Sequence, residues 1–322
     1  MSSAARTRHR SVRVLVAVGP MLAVHFALVA IPFVEFTLWS GLLMLAVSRF
    51  IGLGVTAGFH RCLTHHSFKT SRWFRLLLIV AGCAALQKGP LWWVAQHRLH
   101  HKHSDTADDP HSPVIKNFFH AHLGWLFTGD PTIPDPHGIR DLTKYPELVW
   151  LERLWVVPGV LVACACYALL GWSGVVYGYC LTAVLVLNVT FAVNSVAHLF
   201  GRRRFETNDG SRNNAALGIL ALGEGWHNNH HRVPNSARHG FAWYEFDETY
   251  LFIRVLARLG LVWNVKLPST KVRAGKAGEP AHVSAQFRDA PSPVWHRHSH
   301  SSGGTLAQGC ANHEGVDARS EP

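Results

Sequence analysis

The sequence lacks the patterns with which cysteine usually builds a site. Its 322 residues include six cysteines, none of them in a CxxC pair, and most lie within or beside apolar stretches. This distribution indicates neither a disulfide framework nor a zinc site. No nucleic-acid-binding module is recognisable either, so the formal net charge of +11 favours contact with an anionic membrane surface over nucleic acid.

Charged residues make up only 16% of the chain, and whole stretches have none. Residues 14–33 contain no Asp, Glu, Lys or Arg, and a helix of that length is about 30 Å long, enough to cross a bilayer core. The arginines of the preceding RTRHRSVR predict that the N-terminus, 1–13, is cytoplasmic. A cleaved signal peptide is the competing interpretation, but a second apolar run, 36–59, follows at once.

Two further apolar runs, 154–170 and 175–199, are also joined by a short connection. Each pair predicts an antiparallel hairpin whose tip lacks basic residues, whereas the segments outside the hairpins hold nearly all the Lys and Arg. We therefore predict an all-α, multi-pass integral membrane protein with four transmembrane helices in two hairpins and both termini on the cytoplasmic side. Arg49, inside the second span, is interpreted as snorkelling to the headgroups. The apolar run within 76–95 is too short to cross and is predicted to lie at the interface.

Histidine, by contrast, is abundant, and three clusters of it lie in predicted cytoplasmic segments. The clusters are GFHRCLTHHSFKT with His60 and His65, WVAQHRLHHKHSDTADDPHSP with His97, His100 and His101, and LGEGWHNNHHRVP with His227, His230 and His231. As helices, the second and fourth apolar runs are each about 35 Å long, so they present His60 and His198 at the same depth just past the bilayer core. The joint pattern indicates a metal site in a cytoplasmic helical cap.

The spacing of the histidines predicts how they meet. In HxxHH on a helix, the residues at i, i+3 and i+4 share a face, so each of the second and third clusters is predicted to point at one small volume. His60 and His65 are rotated by about 140° on a straight α-helix, so either they serve two ions or the helix breaks between them. Nine histidines suit two ions with four or five nitrogen ligands each, and imidazole alone does not choose among iron, copper and zinc.

The three clusters resemble the histidine boxes of membrane fatty acid desaturases, specifically the delta-9 acyl-CoA and acyl-lipid group. The matching stretches are HRCLTHHSFKT, HRLHHKHSDTADDPH and GEGWHNNHH, and the similarity runs from about Gly52 to Pro268 through HLGWLF, DGSRNN and LGLVWNVK. The resemblance implies a non-haem enzyme with two Fe²⁺ ions. Such an enzyme uses O₂ and two external electrons to introduce a cis double bond, at the delta-9 position, into a saturated acyl chain carried by coenzyme A or a lipid.

The same resemblance assigns roles to individual residues. It implies that nine histidines are the iron ligands: His60, His65, His97, His100, His101, His198, His227, His230 and His231. It also implies that Asn194 approaches one iron through water and that Asp105, Asp109 and Glu224 hold ligand imidazoles. A solvated loop or a helix cap is the alternative for these three acids.

One further match and one departure from the family pattern concern the substrate, and a second departure concerns the remaining histidines. Trp93 matches a family tryptophan near the substrate, although an interfacial belt tryptophan is the alternative. Ala95 and Gln96 stand where animal acyl-CoA relatives often carry a basic residue and an acid, so their coenzyme A contacts are not carried over. The family pattern gives no ligand role to the other histidines of this region, which are His103, His111, His120, His122 and His137.

The C-terminal segment, 269–322, is rich in Ser, Gly, Ala and His, and is predicted to be disordered, which leaves 14–268 as the membrane domain. It has no haem-binding HPGG motif, so we expect the electrons to come from a separate donor of ferredoxin, cytochrome b5 or flavoprotein reductase type.

Two other functions fit parts of the pattern. A related membrane di-iron hydroxylase or ketolase, acting on fatty acids or alkanes, shares histidine boxes. The spacing of the boxes and the sequence of the GEGWHNNHH motif favour desaturation. A metal transporter would need ligand residues along its spans, where His25 and Arg49 are the ionisable residues of note.

Overall fold

Helices form most of the protein in a computed structural model, which describes residues 3–128, 132–133, 135–275 and 283–285, and the backbone alone within 3–13 and 283–285. Most of the tail that we predict to be disordered, 269–322, lies outside the described residues. The α-helices in chain order are α1 (Ser3–Ala27), α2 (Leu38–Leu53), α3 (Arg72–Cys83), α4 (Pro90–His103), α5 (Trp125–Thr128), α6 (Arg140–Thr143), α7 (Pro146–Arg153), α8 (Val157–Ser173), α9 (Thr182–Ser195), α10 (Ala215–Leu220), α11 (His227–Arg232), α12 (Glu248–Arg258) and α13 (Thr270–Arg273).

Other helix types and short strands complete the fold. Segments Leu28–Phe33 and His137–Ile139 are 3₁₀-helices, and Gly54–Thr64, His120–Gly124 and Gly174–Leu181 are π-helices. The strands in the described residues are β1 (Lys69–Thr70), β2 (Val262–Trp263), β3 (Lys266–Pro268) and β4 (Val283–Ala285), and β1 pairs antiparallel with β2 as β3 does with β4. The fold is thus mostly helical as predicted, with two small sheets that the all-α prediction did not include.

Helix starts follow the local sequence. The Thr37 side chain accepts a hydrogen bond from Ser40 N at 3.1 Å and caps α2, and Asp247 likewise accepts from Tyr250 N at 2.9 Å and caps α12. Short polar side chains at this position satisfy backbone N–H groups that the first turn leaves without partners. Pro90 opens α4, where its fixed φ and missing N–H cost nothing, and this start places the second histidine cluster in the last two turns.

Three helices of the described residues are long and apolar enough to cross a membrane: Val14–Phe33, Leu38–Thr64 and Val157–Ser195. The third has 39 residues and contains a break, because Gly171 has φ +60° and ψ −144°. A residue without Cβ adopts that conformation most readily. Beyond it the chain turns back on itself, so that a Cβ on Gly174 would lie 2.0 Å from the carbonyl oxygen of Cys166. The reversal lies at Gly171, the first residue of the predicted connection between the runs 154–170 and 175–199.

The turns at 31–37 and 171–177 lie together at one end of the long helices. The Tyr177 hydroxyl donates to the carbonyl oxygens of Ile31 at 3.2 Å and Val34 at 2.8 Å. Ser173 Oγ donates to the carbonyl oxygen of Glu35 at 3.0 Å. The histidine clusters lie past the opposite ends of the helices, so α2 and α9 run towards them side by side.

The stretch 76–95 is not one helix. α3 has 12 residues, and after a turn the chain starts again as α4, so the prediction that this run is too short to cross is confirmed by its length. α3 packs tightly on the π-helix Gly54–Thr64, because a Cβ on Gly54 would lie 2.2 Å from Gly82 N. Only paired glycines allow that approach, and it fixes the position of the π-helix that carries His60.

Candidate metal centre

The π-helix explains how the first histidine cluster is arranged. In a π-helix the hydrogen bonds join residues five apart, and His65 N donates to His60 O at 3.2 Å. Residues five apart therefore lie one above the other, and the His60 and His65 rings are 4.8 Å apart at their centroids. Both rings face the same group of histidines, so the alternative in which they serve two ions is wrong. The helix does end between them, at Thr64, which agrees with the other alternative.

The nine predicted ligand histidines form two groups within which the ligand atoms lie no more than 4.8 Å apart. The five-histidine group consists of His60, His65, His97, His101 and His230, and the four-histidine group of His100, His198, His227 and His231. The prediction that each HxxHH cluster points at one small volume is therefore wrong. In each cluster the i and i+4 residues enter one group and the i+3 residue enters the other. Viewed along the helix axis, residue i+4 lies about 40° to one side of residue i, whereas residue i+3 lies about 60° to the other side.

The distances within the groups fit metal ligation. The Nε2 separations are 3.1 Å for His60 and His230, 2.9 Å for His101 and His230, 3.0 Å for His97 and His101, and 3.0 Å for both His198 and His231 from His227. Two nitrogens at about 2.1 Å from one ion and at right angles to each other lie about 3 Å apart. In addition, His65 Nε2 is buried and has no hydrogen-bond partner among the described residues. This set of nitrogens is compatible with a metal site.

Four carboxylates contact the Nδ1 atoms of four of these rings, on the side away from the Nε2 atoms. The Nδ1 atoms of His60, His100, His198 and His231 lie 2.7, 3.0, 2.8 and 2.6 Å from carboxylate oxygens of Glu224, Asp109, Asp105 and Asp209, respectively. An Nδ1–H that donates to a carboxylate leaves Nε2 as a lone-pair donor for a metal. The three acids suggested by sequence thus lie beside the rings, and Asp209 adds a fourth that we did not predict, although it lies in the DGSRNN stretch.

Electrostatics keep these carboxylates ionised. Burial opposes ionisation of Asp109, yet His100, His111 and the backbone N–H of Asp105 together outweigh burial and lower the pKa of the Asp109 carboxyl below its ordinary value. The pKa of Asp209 is lowered in the same way by His231. Burial would also raise the pKa of Glu224, but the charges of His60 and Arg61 hold it well below the ordinary value.

Six of the nine histidines favour their neutral form. Burial, followed by the neighbouring imidazoles, lowers the pKa values of His65, His97, His101, His227 and His230 well below the ordinary histidine value. Burial likewise lowers the pKa of His231 to about 4, against the opposing effect of Asp209. Neutral imidazole is the form that binds a metal, so the site is prepared for one at physiological pH.

A buried ionic network that we did not predict supports the five-histidine group. Arg61 is fully buried and contacts Glu224 Oε1 at 3.0 Å and Asp247 Oδ1 at 2.9 Å. His239 Nδ1 lies 3.2 Å from Glu224 Oε2, the same oxygen that His60 approaches. Arg61 follows His60 in the first cluster, so its charge was visible in the sequence, but its partners come from more than 160 residues away.

Of the five histidines to which we gave no ligand role, His111 lies beside the four-histidine group. Its ring is 4.5 Å from that of His100, and its Nδ1 lies 3.7 Å from Asp109 Oδ1. Burial and the neighbouring His100 lower the pKa of His111 to about 3. His122, by contrast, faces Ser195 and Asn188, at 3.0 and 3.3 Å.

An apolar cavity of about 300 Å³ leads to the two groups. Its long walls come from α2 and α9, and its histidine end is formed by His60, His97, His227 and Asn194. Trp93 also lines the cavity, where its ring stacks on His97 with centroids 5.1 Å apart and its Nε1 donates to Gln87 Oε1 at 3.1 Å. Leu45, Leu185 and Val189 are among the aliphatic side chains along it.

Apolar helices of membrane-spanning length, with two groups of buried histidines at the end of an apolar cavity, define a class of membrane oxidoreductases with a histidine-built centre. Residues 35–265 match the model of the fatty acid desaturase family. The chain belongs to the fatty acid desaturase family, and it is an oxidoreductase.

Individual relatives agree with that assignment. The chain is 42% identical over 221 residues to sn-1 stearoyl-lipid 9-desaturase of Anabaena variabilis, a match that covers 68% of this chain and 81% of the relative. It is 39% identical over 234 residues to sn-2 palmitoyl-lipid 9-desaturase of Nostoc sp., covering 70% and 82%. It is also 41% identical over 219 residues to acyl-CoA C20 Delta5-desaturase of Anemone leveillei, covering 67% and 70%.

Proposed function

We propose that this protein is an iron-dependent, O₂-dependent desaturase that introduces a cis double bond at the delta-9 position of a saturated acyl chain. The observation that supports it most directly is the apolar cavity that ends at both histidine groups. A fully reduced methylene chain has no polar handle near its middle, so a narrow apolar cavity is the kind of site that can select it. The names of the relatives in Anabaena and Nostoc support the ninth carbon.

The five-histidine group would hold one Fe²⁺ ion, and the four-histidine group would hold the second, with Asn194 supplying a further position through water. The donor set fits, since imidazole binds iron well and four carboxylates fix the rings. When bound, the two ions supply the chemistry by which O₂, two electrons and two protons take two hydrogens from the acyl chain and yield two waters. The protein supplies position and the exclusion of water.

The cavity would set where the bond forms. Along α9, Asn194 and Thr182 both line it, and 12 residues of helix separate them by about 18 Å. A chain that reaches the far end of the cavity therefore presents one fixed stretch of methylenes to the histidine groups. Trp93, stacked on His97, forms part of the wall at that stretch.

We further propose that the chain crosses the membrane four times, with α8 and the helix after the Gly171 reversal as separate spans. The histidine groups and both termini would lie on the cytoplasmic side, as the distribution of Lys and Arg indicates. The acyl chain would arrive on a glycerolipid or on coenzyme A, because relatives of both kinds match. The electrons would come from a separate donor.

The test is the fatty-acid profile of host cells that produce the protein, with the double-bond position assigned by mass spectrometry and the His101→Ala variant alongside. New monounsaturated chains with the bond at carbon 9, absent from the variant, would support the proposal. Chains that have gained one oxygen instead of losing two hydrogens would point to a hydroxylase. If neither product forms, the assay is repeated with membranes that contain the iron-loaded protein and are supplied with reduced ferredoxin. The absence of product in that assay would refute desaturation.

A further inference from the structure

A basic cleft lies beside the five-histidine group, away from the apolar cavity. It has a volume of about 740 Å³, and its cations are Lys69, Arg75, Lys144 and Lys266. Asp141 is the one acid among its described lining residues. The cleft and the apolar cavity share no lining residue, so whatever binds in the cleft is not the acyl chain that occupies the cavity.

Regular elements hold the basic side chains in place. Lys69 pairs with Trp263 across the β1–β2 sheet, and Lys266 N donates to Ser67 O at 2.8 Å. Within the part of the chain that the structure describes, no carboxylate forms an ion pair with Lys69, Lys144 or Lys266. Their charge is therefore available to a partner and gives the cleft a positive field.

The lining of the cleft is connected to two residues of the five-histidine group, directly to His65 and through a hydrogen bond to the neighbour of His97. Arg98 donates to Asp141 Oδ1 at 2.7 Å and to the carbonyl oxygen of Leu63 at 3.1 Å, and His66 Nε2 lies 3.1 Å from Asp141 Oδ2. His66 follows His65 in the chain, and Arg98 follows His97. The lining residue His66 is thus one peptide unit from His65, and the lining residue Asp141 is hydrogen-bonded to the neighbour of His97.

We propose that this cleft docks an acidic one-electron carrier protein and delivers its electrons to the five-histidine group. The inference rests on the proposed function, which requires two external electrons. Three observations favour it: positive charge without carboxylate partners, a short path to the five-histidine group that is covalent to His65 and passes through the Arg98–Asp141 hydrogen bond to His97, and separation from the cavity that would hold the substrate.

The electrons balance in two encounters. Each reduced carrier that docks gives up one electron, so its own centre is oxidised by one electron and the histidine-held site gains one. Two such encounters supply both electrons for one turnover, in which one O₂ with two acyl hydrogens and two protons becomes two waters. No atom is transferred between the carrier and this protein.

The experiment uses the full-length protein in nanodiscs of uncharged phosphatidylcholine and an acidic plant-type [2Fe–2S] ferredoxin as the probe. The first readout is the affinity of the ferredoxin for the protein by calorimetry, with and without iron. The second is the rate at which reduced ferredoxin reduces the iron-loaded protein without O₂, compared with reduction by dithionite. The test variant is Lys69→Glu with Lys266→Glu, and the matched control is Lys116→Glu with Arg258→Glu, two exposed positions outside the cleft.

We expect the test variant to lower both the affinity and the ferredoxin-driven rate by about tenfold or more, since steering by charge changes association rates by about 10- to 10³-fold. The wild-type rate should also fall with added salt. Reduction by dithionite, iron content and the control variant should remain unchanged.

Several results would overturn the docking proposal: no binding of ferredoxin to the wild type, affinity independent of salt, or equal loss in both variants. If the test variant kept its affinity for ferredoxin but had a raised KM for an acyl-CoA, the cleft would be a substrate headgroup site instead. Because binding is measured with and without iron, a protein that binds ferredoxin but takes up no iron would refute the proposed function and leave the docking result intact.

Discussion

The Nδ1 atom of His231 lies 2.6 Å from the Oδ2 atom of Asp209, and this contact ties α11 to the loop that precedes α10. Asp209 is itself fixed, because its Oδ1 accepts from Ser211 N at 3.0 Å and from the Thr207 hydroxyl at 3.0 Å. The carboxylate is therefore held before any metal arrives. It sets the tautomer of His231 and the direction in which its Nε2 points.

Loss of this carboxylate should weaken metal binding without removing a ligand. We expect Asp209→Asn to lower the affinity for iron by about 10- to 100-fold, as is usual when the acid behind a ligand histidine is changed. The measurement is iron retained per chain during titration with a chelator. Asp108→Asn is the control, since the Asp108 side chain is 79% exposed, and equal retention by both variants would contradict the role given to Asp209.

The metal content of the purified protein is a direct prediction. Nine imidazoles in two groups should hold about two irons per chain. Removal of the metal by a chelator should lower the Tm, because an ion that binds only the folded chain stabilises it. Elemental analysis checks the first statement and a thermal scan the second, and one zinc without iron would show the assignment to be wrong.

His101→Ala should abolish desaturation while the protein still inserts into the membrane. The Nε2 atom of His101 lies within 3.0 Å of those of His97 and His230, so its loss opens the five-histidine group, whereas the apolar helices do not contain it. The iron content should fall to about one per chain. His103→Ala lies on the same helix outside both groups and should keep both irons and activity; loss of activity in that variant would mean that the helix rather than the ligand is responsible.

The length of the cavity can be tested from its far end. Val186 lines the cavity on α9 well away from the histidines, and Val186→Phe should fill that part. We expect conversion of the longer acyl chains to fall about tenfold relative to chains two carbons shorter. Product profiles of cells fed both lengths provide the measurement. Val157→Phe, at an exposed site outside the cavity, should leave the ratio unchanged.

The buried Arg61 should matter for stability as well as for the site. Arg61→Met leaves Glu224 and Asp247 buried without their cation, and removal of one partner of a buried ion pair costs about 3–5 kcal/mol. Arg49→Met removes a partly exposed ion pair with Glu248 and should cost less than about 1 kcal/mol. Unfolding in detergent measures both, and similar losses would show that burial of Arg61 carries no special weight.

The sequence allowed much of the helical fold and of the histidine set to be predicted, because both depend on local patterns. Long uncharged runs show where apolar helices lie, and HxxHH spacing shows which rings share a helix side. Helix geometry separates His100 and His230 from the i, i+4 pairs of their own clusters, but which residues of other elements complete each group depends on how α4 and α11 meet, which no local pattern contains. The π-helix at His60 escaped prediction for a related reason: it is stabilised by close packing of Gly54 on Gly82, a contact between distant residues.

Arg49 illustrates the same limit. Sequence reasoning interpreted it as reaching for the headgroups, whereas the structure pairs it with Glu248, at the start of α12 and 199 residues away. Hydropathy identifies the cost of a charge in an apolar run, but the partner that offsets the cost comes from tertiary contact. Asp209 and His239 were missed because their partners are likewise brought together only by the fold.

The division of every HxxHH cluster between the two groups has a consequence for how the centre matures. The five-histidine group begins at His60 and ends at His230, while the four-histidine group begins at His100 and ends at His231. Both sets are thus completed by neighbouring residues late in synthesis, and no shorter nascent chain on the ribosome carries either set whole. The growing polypeptide passes from no complete set to both in the addition of two amino acids, so neither group can form from its full set of histidines before that point of synthesis.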